Sequence, residues 1–231
     1  MLISHKHKFI FIHIPKTGGT SVRNTLNPFC NTVKDLNDSE TNKTKTKHIK
    51  ARELKKLLPK ETWNKYFKFA FVRNPWDRIT SIYKFNIEHQ QPGYKDYKEK
   101  DFASFLEMIY QGKKVHISEP QKDYVCDEKG NLIVDFVGHF ENLDKDFKYI
   151  CKKLGIRKKL KLLNPSNHEY YKKMYNKTTK KMVNSLFKED IEFFNYNFNQ
   201  TNATQWFFRR TIPKATMKIA LRTRLKNMLK K

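Results

Sequence analysis

The chain has 231 residues, 38% hydrophobic and 14% aromatic, which is enough for one domain with a sizeable core. Its 48 Lys and Arg residues outnumber 23 Asp and Glu, and the net charge of +25 favours polyanionic partners unless most lysines are simply solvated. Three cysteines far apart in sequence exclude a disulfide framework and predict a reducing, cytoplasmic compartment. No apolar run approaches the roughly 20 residues that span a bilayer, and the first is too short for a signal peptide.

The first predicted elements enclose a glycine-rich turn. Residues 8–14 predict a buried strand of a parallel sheet, and Thr20–Leu26 predicts a short helix. Glycines let the backbone approach an anion, and the helix N-terminus adds partial positive charge. A phosphate site is therefore predicted from consecutive residues of the turn: Lys16, Thr17, Gly18, Gly19, Thr20 and Ser21.

The order of residues in this turn is unusual. The common ATP loop places its Lys after the glycines, whereas Lys16 precedes them. A phosphorylated ligand is still expected, but a nucleoside triphosphate is disfavoured. Thr20 and Ser21 have a second interpretation as helix N-caps, and both interpretations remain open.

A second candidate phosphate site follows the next buried strand. After a loop over residues 31–47 and a helix over 51–58, residues 67–72 predict a strand, and Asn74-Pro75 begins a helix that runs to His89. Arg73 lies at the carboxyl end of this strand, where ligands of open α/β sheets collect. Ser81 lies about two turns along the helix, facing its start. The two side chains could hold a phosphate, or Arg73 could instead pair with a carboxylate.

The remaining pattern completes an α/β chain. Strands separated by helices predict a parallel sheet with helices on both faces, in one domain over residues 1–200. The later predictions are a loop over 90–100, a helix over 101–111, a hairpin of 124–126 with 132–134, a strand over 135–140, a helix over 143–154, a capping box at 166–169, and helices from there to Tyr196.

The last segment differs in composition. Residues 205–231, within a tail assigned to 201–231, place an apolar stripe and many basic residues on one amphipathic helix. Such a helix could lie on an anionic membrane, which would put the protein at the inner membrane face, or it could cover its own domain.

Together, the turn at Pro15–Ser21 and the segment Val72–Ser81 resemble the two phosphate motifs of sulfotransferases that use 3′-phosphoadenosine 5′-phosphosulfate (PAPS). The likeness covers residues 8–198 and is greatest to the carbohydrate branch with the heparan 2-O- and chondroitin-type enzymes. Further similar stretches are Pro120-Gln121, Asp135-Phe136, Glu141-Asn142 and Asp190-Ile191. The resemblance implies a P-loop-like three-layer α/β sandwich whose central, mainly parallel sheet is flanked by helices.

The resemblance also implies roles for individual residues. The first turn would bind the 5′-phosphosulfate of PAPS, with Lys16 stabilising the leaving phosphate, and Arg73 and Ser81 would bind the 3′-phosphate. His48 would be the catalytic base, since a neutral imidazole in general has a pKa suited to that role, although a surface or capping histidine is the alternative. His168 would lie in a loop that closes over the nucleotide. The product would be 3′-phosphoadenosine 5′-phosphate (PAP), and no metal is expected.

The acceptor is less defined. The loops over 31–47 and 90–100 should flank its cleft, and their lysines suit a carbohydrate, including an acidic glycan, while Trp76, Tyr94 and Tyr97 could stack on sugar rings. Nucleic acid is not expected, and the oligomeric state is left open. Two rivals remain: a P-loop-type kinase, with Asp135 as its magnesium carboxylate, and a polyanion-binding module without catalysis.

Overall fold

A central sheet of four strands organises the structure, a computed structural model that describes residues 1–30, 47–89, 101–115, 117–160 and 170–199. The strands are β1 (Leu2–Ser4), β2 (Phe9–Ile12), β3 (Phe67–Val72) and β4 (Phe136–His139), and they lie in that order. β2, β3 and β4 run parallel, while β1 pairs antiparallel with β2 and places Leu2 opposite Phe11. The sheet is therefore mixed but mainly parallel.

Helices connect the strands. They are α1 (Gly19–Leu26), α2 (Ala51–Leu57), α3 (Lys60–Lys65), α4 (Pro75–Glu88), α5 (Phe102–Tyr110), α6 (Lys122–Val125), α7 (Leu143–Leu154), α8 (Tyr170–Lys173), α9 (Lys177–Leu186) and α10 (Lys188–Phe194), with short 3₁₀ turns at Asn27–Phe29 and Phe140–Asn142.

Both faces of the sheet are buried. Alternate residues of each strand point to opposite faces, so Phe11 and Phe69 enter a core with α1 and α7. Their neighbours Ile12 and Ala70 enter a second core, which α2 to α5, α9 and α10 cover. The result is the three-layer α/β sandwich that the sequence predicts.

Local patterns located most elements correctly. β3 has the predicted limits, α4 begins after Asn74, whose side chain accepts a hydrogen bond from the Trp76 amide, and α7 ends at Gly155 in a left-handed conformation. β1 and α3 were missed. Pro59 stands at the N-cap of α3, so this proline precedes a new helix as well as ending the previous one.

The predicted hairpin is wrong in its first arm. Residues 122–125 form helix α6, and only the pair Cys126 and Leu132 makes an antiparallel bridge. The helix forms because a residue distant in sequence caps it: the Asp190 carboxylate accepts hydrogen bonds from the Gln121 and Lys122 amides, at 2.8 Å each. A carboxylate at a helix N-terminus favours the helical conformation there.

Several predictions fall outside the described residues. These concern residues 31–46, 90–100, His168 with its capping box, and the tail from 201 to 231. Among the described helices, none is long and apolar enough to cross a membrane. All three cysteines are thiols, with Cys126 and Cys151 buried. The cytoplasmic location stays a prediction.

Candidate functional site

The glycine-rich turn follows β2 and leads into α1. Gly18 adopts a left-handed conformation with φ +79° and is the N-cap of the helix. The Ser21 and Val22 amides donate to its carbonyl at 3.1 and 3.3 Å, so the amides of residues 17–20 precede the first hydrogen bonds of the helix. Thr20 and Ser21 lie inside the first turn, which makes their interpretation as N-caps wrong. The turn thus ends in a helix N-terminus, which favours an anion as its ligand.

Close contacts explain both glycines. A Cβ on Gly18 would lie 2.7 Å from Leu143 Cδ2, and a Cβ on Gly19 would lie 2.0 Å from His13 Cδ2. The turn is thus held between α7 on one side and the His13 ring on the other. The Thr17 hydroxyl donates to the Ile14 carbonyl at 2.9 Å and closes the turn from within.

Two histidines meet beneath the turn. His13 is buried, as predicted, and its ring centroid lies 4.6 Å from that of His48. Burial lowers the pKa of His13 well below its ordinary value, so this ring is neutral at physiological pH. His48 Nδ1 lies 2.8 Å from the His13 carbonyl, which can only accept, so Nδ1 donates. A neutral His48 therefore carries its lone pair on Nε2.

Lys16 projects from the turn toward α4. Its backbone is left-handed, with φ +64°, and its Nζ lies 4.2 Å from the centroid of the Phe85 ring. Burial, followed by the positive charge of Arg73, lowers the pKa of Lys16 to about 8. The aromatic face stabilises the ammonium form and holds it over the helix.

Arg73 connects the two motifs. Its buried guanidinium donates to both carboxylate oxygens of Asp77, from Nε at 2.8 Å and Nη2 at 2.7 Å. Its Nη1 donates to the Lys16 carbonyl at 3.2 Å, and the group lies 4.2 Å from the centroid of Phe140. Arg73 therefore pairs with a carboxylate, that of Asp77, as the alternative interpretation predicts. A bidentate pair also fixes the plane of the guanidinium.

One face of α4 carries the rest of the site. Asp77, Ser81 and Phe85 are spaced four residues apart, and such residues are neighbours on a helix surface. Arg73 contacts the first of them and Lys16 contacts the last. The half-buried Ser81 lies between the two cations along this face.

Buried polar residues that the sequence did not single out as site residues hold the Arg73 backbone. The Gln121 side chain accepts from the Arg73 amide and donates to the Arg73 carbonyl, both at 2.8 Å. Glu141 accepts from the Asn74 amide at 2.6 Å and from the Tyr196 hydroxyl at 3.1 Å. Burial raises the pKa of Glu141 to about 6. The likeness of 120–121 and 141–142 to a known family was the only signal for them.

Asp135 lies away from this site. Its carboxylate pairs with Lys68 Nζ at 2.7 Å, near the start of β3, whereas Arg73 follows the end of that strand. The kinase hypothesis therefore loses its candidate magnesium carboxylate. Within the described ranges, no three His, Cys, Asp or Glu side chains form a potential metal group. The metal-free reaction stays a prediction.

The stacking role predicted for Trp76 is wrong. Trp76 is 3% exposed and meets Phe198 edge to face at 5.8 Å, so it is not available to stack on a sugar. His5 and His7 lie in the turn between β1 and β2. His5 Nδ1 lies 2.6 Å from the Tyr66 hydroxyl. His139 ends β4, as predicted.

The sequence profile of the sulfotransferase family matches residues 1–197. The chain belongs to the sulfotransferase family. Human carbohydrate sulfotransferase 9 is 24% identical over 237 residues, covering 84% of this chain and 52% of that protein. Carbohydrate sulfotransferase 10 of Xenopus laevis is 23% identical, covering 85% of this chain and 67% of that protein. This sulfotransferase chain thus spans about half to two thirds of these relatives.

Two further comparisons add less about function. An uncharacterized protein of Archaeoglobus fulgidus is 27% identical over 128 residues, which are 52% of this chain and 95% of that protein. The crystal structure of a mouse sulfotransferase complexed with PAP covers 91% of this chain and 80% of its own, at 16% identity and a TM-score of 0.40. That TM-score is too low to establish a shared fold.

The contact between Gly19 and His13 gives a prediction. Gly19→Ala should weaken PAP binding by about tenfold or more, because the added methyl group displaces the turn from the His13 ring. Calorimetric titration with PAP measures the change. His13→Ala in the same chain should restore part of the affinity by making room. Gly155→Ala, at a left-handed position remote from the turn, is the control and should leave the affinity unchanged.

Proposed function

We propose that this chain transfers the sulfuryl group of PAPS to a hydroxyl group of a carbohydrate. The observation that carries the proposal is the 3.2 Å hydrogen bond from Arg73 Nη1 to the Lys16 carbonyl, which joins the two phosphate motifs at one end of the sheet. Membership of the sulfotransferase family supports the reaction class. The names of the relatives support the class of acceptor.

The residues of the turn fit a phosphosulfate group. Gly18 and Gly19 let the turn pack closely between α7 and the His13 ring. The amides of residues 17–20, which lie ahead of the first helical hydrogen bonds, would hold the 5′-phosphate together with the Thr20 and Ser21 hydroxyls. Arg73 and Ser81 would bind the 3′-phosphate at the α4 face. His168, outside the described residues, would contact the nucleotide as well. The bound donor supplies an activated sulfuryl group with phosphate as its leaving group.

Lys16 and His48 would carry the chemistry. As the acceptor oxygen bonds to sulfur and the bond from sulfur to the phosphate oxygen breaks, negative charge develops on that phosphate. The Lys16 ammonium would neutralise this charge. His48 would take the acceptor proton on Nε2, because its Nδ1 is occupied by the His13 carbonyl.

The acceptor side of the proposal rests on charge and family. A net charge of +25 suits an acidic glycan, and the loops 31–47 and 90–100 would flank the cleft. We also propose that residues 1–200 form the sulfotransferase domain. Residues 201–231 would form a basic tail able to lie on an anionic membrane.

Binding of PAP tests the function first. Calorimetry should show tight binding without added metal, and much tighter binding than ATP, because the motifs fit a 3′-phosphate rather than a γ-phosphate. Transfer from labelled PAPS to a panel of acidic and neutral glycans then identifies the acceptor. Equal affinities for PAP and ATP would contradict the proposal, and PAP binding without transfer to any glycan would leave a nucleotide-binding protein.

His48 has a separate test. His48→Ala should lower kcat by about 10²- to 10⁴-fold, the usual contribution of a general base, while PAP affinity changes by less than about twofold. Steady-state kinetics and PAP calorimetry measure the two effects. The exposed His5, beside Tyr66, is the control position, and His5→Ala should change neither. Collapse of PAP binding in His48→Ala would mean that His48 is not the acceptor base.

The pKa of Lys16 predicts a pH dependence. Because this pKa lies at about 8 in the free protein, Lys16 is a cation below that pH and neutral above it. PAP affinity should therefore fall as pH rises through 8, by up to about tenfold per unit. Lys16→Arg keeps its charge throughout this range, so its affinity should stay flat. An unchanged wild-type affinity from pH 7 to 9.5 would show that Lys16 does not meet the nucleotide as a cation.

A further inference from the structure

Arg78 has no assigned role, yet it is the largest fully buried side chain among the residues that the structure describes, at 1% exposure. Its guanidinium donates to three backbone carbonyls from separate nitrogen atoms. Nε reaches Pro15 at 3.1 Å, Nη1 reaches Glu119 at 2.9 Å, and Nη2 reaches Ile117 at 3.0 Å. One planar group thus joins α4, the turn after β2, and the segment Ile117–Glu119.

Two of these contacts hold strained backbone. Pro15 directly precedes Lys16, whose φ is +64°, and Ile117 itself has φ +60°. A β-branched residue in the left-handed region is a true outlier, and such a conformation persists only where the surrounding structure imposes it. The Arg78 guanidinium bonds to both of these peptides, so the same buried cation holds the backbone at both left-handed residues.

The segment held by Arg78 also reaches the histidine side of the site. Glu119 Oε1 lies 3.6 Å from Lys50 Nζ, two residues after His48, and Glu119 Oε2 accepts from the Tyr124 hydroxyl at 2.8 Å. Arg78 is therefore linked to Lys16 through one carbonyl and to the segment beside His48 through another.

Burial of this cation is compensated locally. Burial lowers the pKa of Arg78, and the buried Asp190 carboxylate opposes that shift most strongly. Asp190 is itself fixed by the Gln121 and Lys122 amides. A lysine at this position would keep the charge, but its single ammonium lacks the planar fork that meets three carbonyls.

We propose that Arg78 is a positioning residue for sulfuryl transfer, which holds the Pro15–Lys16 peptide so that the Lys16 amine stays over the α4 face. This inference rests on the proposed function. Arg78 lies beneath the turn and acts through Lys16 rather than on the donor. Its contacts with Ile117 and Glu119 anchor the guanidinium from the other side, so that Pro15 cannot shift alone.

Arg78→Lys is the direct test. Loss of the fork should lower kcat for transfer from PAPS by about 10- to 100-fold, as expected for a displaced catalytic group. The KM for PAPS should change by less than about threefold. In the same variant the pKa of Lys16 should rise from about 8 toward its ordinary value, because the amine reaches solvent. NMR of isotope-labelled, reductively methylated lysines measures this pKa without any acceptor.

A double mutant separates positioning from general stability. If Arg78 acts through Lys16, then Arg78→Lys in a Lys16→Ala background should lower kcat by less than about twofold further. Multiplicative losses would overturn the proposal. Lys68→Met is the matched control, since Lys68 is a buried cation held by the Trp63 and Tyr66 carbonyls near the other end of β3. It should lower Tm but leave the pKa of Lys16 unchanged.

The outcomes distinguish this inference from the function. If wild-type protein transfers sulfuryl groups and Arg78→Lys leaves both kcat and the pKa of Lys16 unchanged, the positioning role is wrong and the function stands. If wild-type protein transfers none, the function fails, and the pKa measurement still decides whether Arg78 positions Lys16. Should Arg78→Lys not fold, Arg78→Gln, which keeps planar N–H donors, replaces it under the same criteria.

Discussion

The site depends on one buried group, the Arg73 guanidinium between Asp77 and the Lys16 carbonyl. Removing Asp77 would leave the buried Arg73 cation without its carboxylate, and removing Arg73 would leave the Asp77 carboxylate without its cation. Breaking a buried ion pair in this way costs several kcal/mol of folding free energy. The guanidinium sets the separation of the two motifs, because its Nε and Nη2 are held by Asp77 of α4 while its Nη1 bonds to the Lys16 carbonyl in the turn. The positions of Lys16 and Ser81 relative to each other follow from it.

Around this group, polar side chains bond chiefly to backbone groups. Gln121 imitates a neighbouring strand by bonding both the amide and the carbonyl of Arg73. Asp190 caps α6, and Glu141 receives the Asn74 amide. Buried polar groups are tolerated when they are hydrogen-bonded. Here those bonds fix the chain where it leaves β3, at the point from which the α4 face is projected.

The sequence predicts those parts of the fold and the site that depend on residues close together in the chain, and it does not predict those that depend on contacts between distant residues. β3 and α4 follow from an apolar run and from Asn74-Pro75, which act within a few residues. The pairing of Arg73 with Asp77 was within reach too, since the residues are four apart at a helix start. Gln121, 48 residues from Arg73, has no local signal, and neither does α6, whose cap is 68 residues away at Asp190. His48 was proposed from family resemblance alone, and its contact with His13 spans 35 residues.

Burial also separates the site from the general positive charge. Exposed lysines such as Lys56, which pairs with Glu128, are solvated, and their ion pairs contribute little to stability. At roughly 0.1 M salt, their electrostatic effect is largely screened beyond about 10 Å. Arg73 and Arg78 are almost fully buried and ordered by fixed partners, so salt screens their fields much less. A protein that only bound polyanions through its surface would lose affinity steeply with salt. The proposed nucleotide binding at Arg73 should be retained under the same conditions, so the overall charge and the two proposed phosphate motifs are separable features of this sulfotransferase.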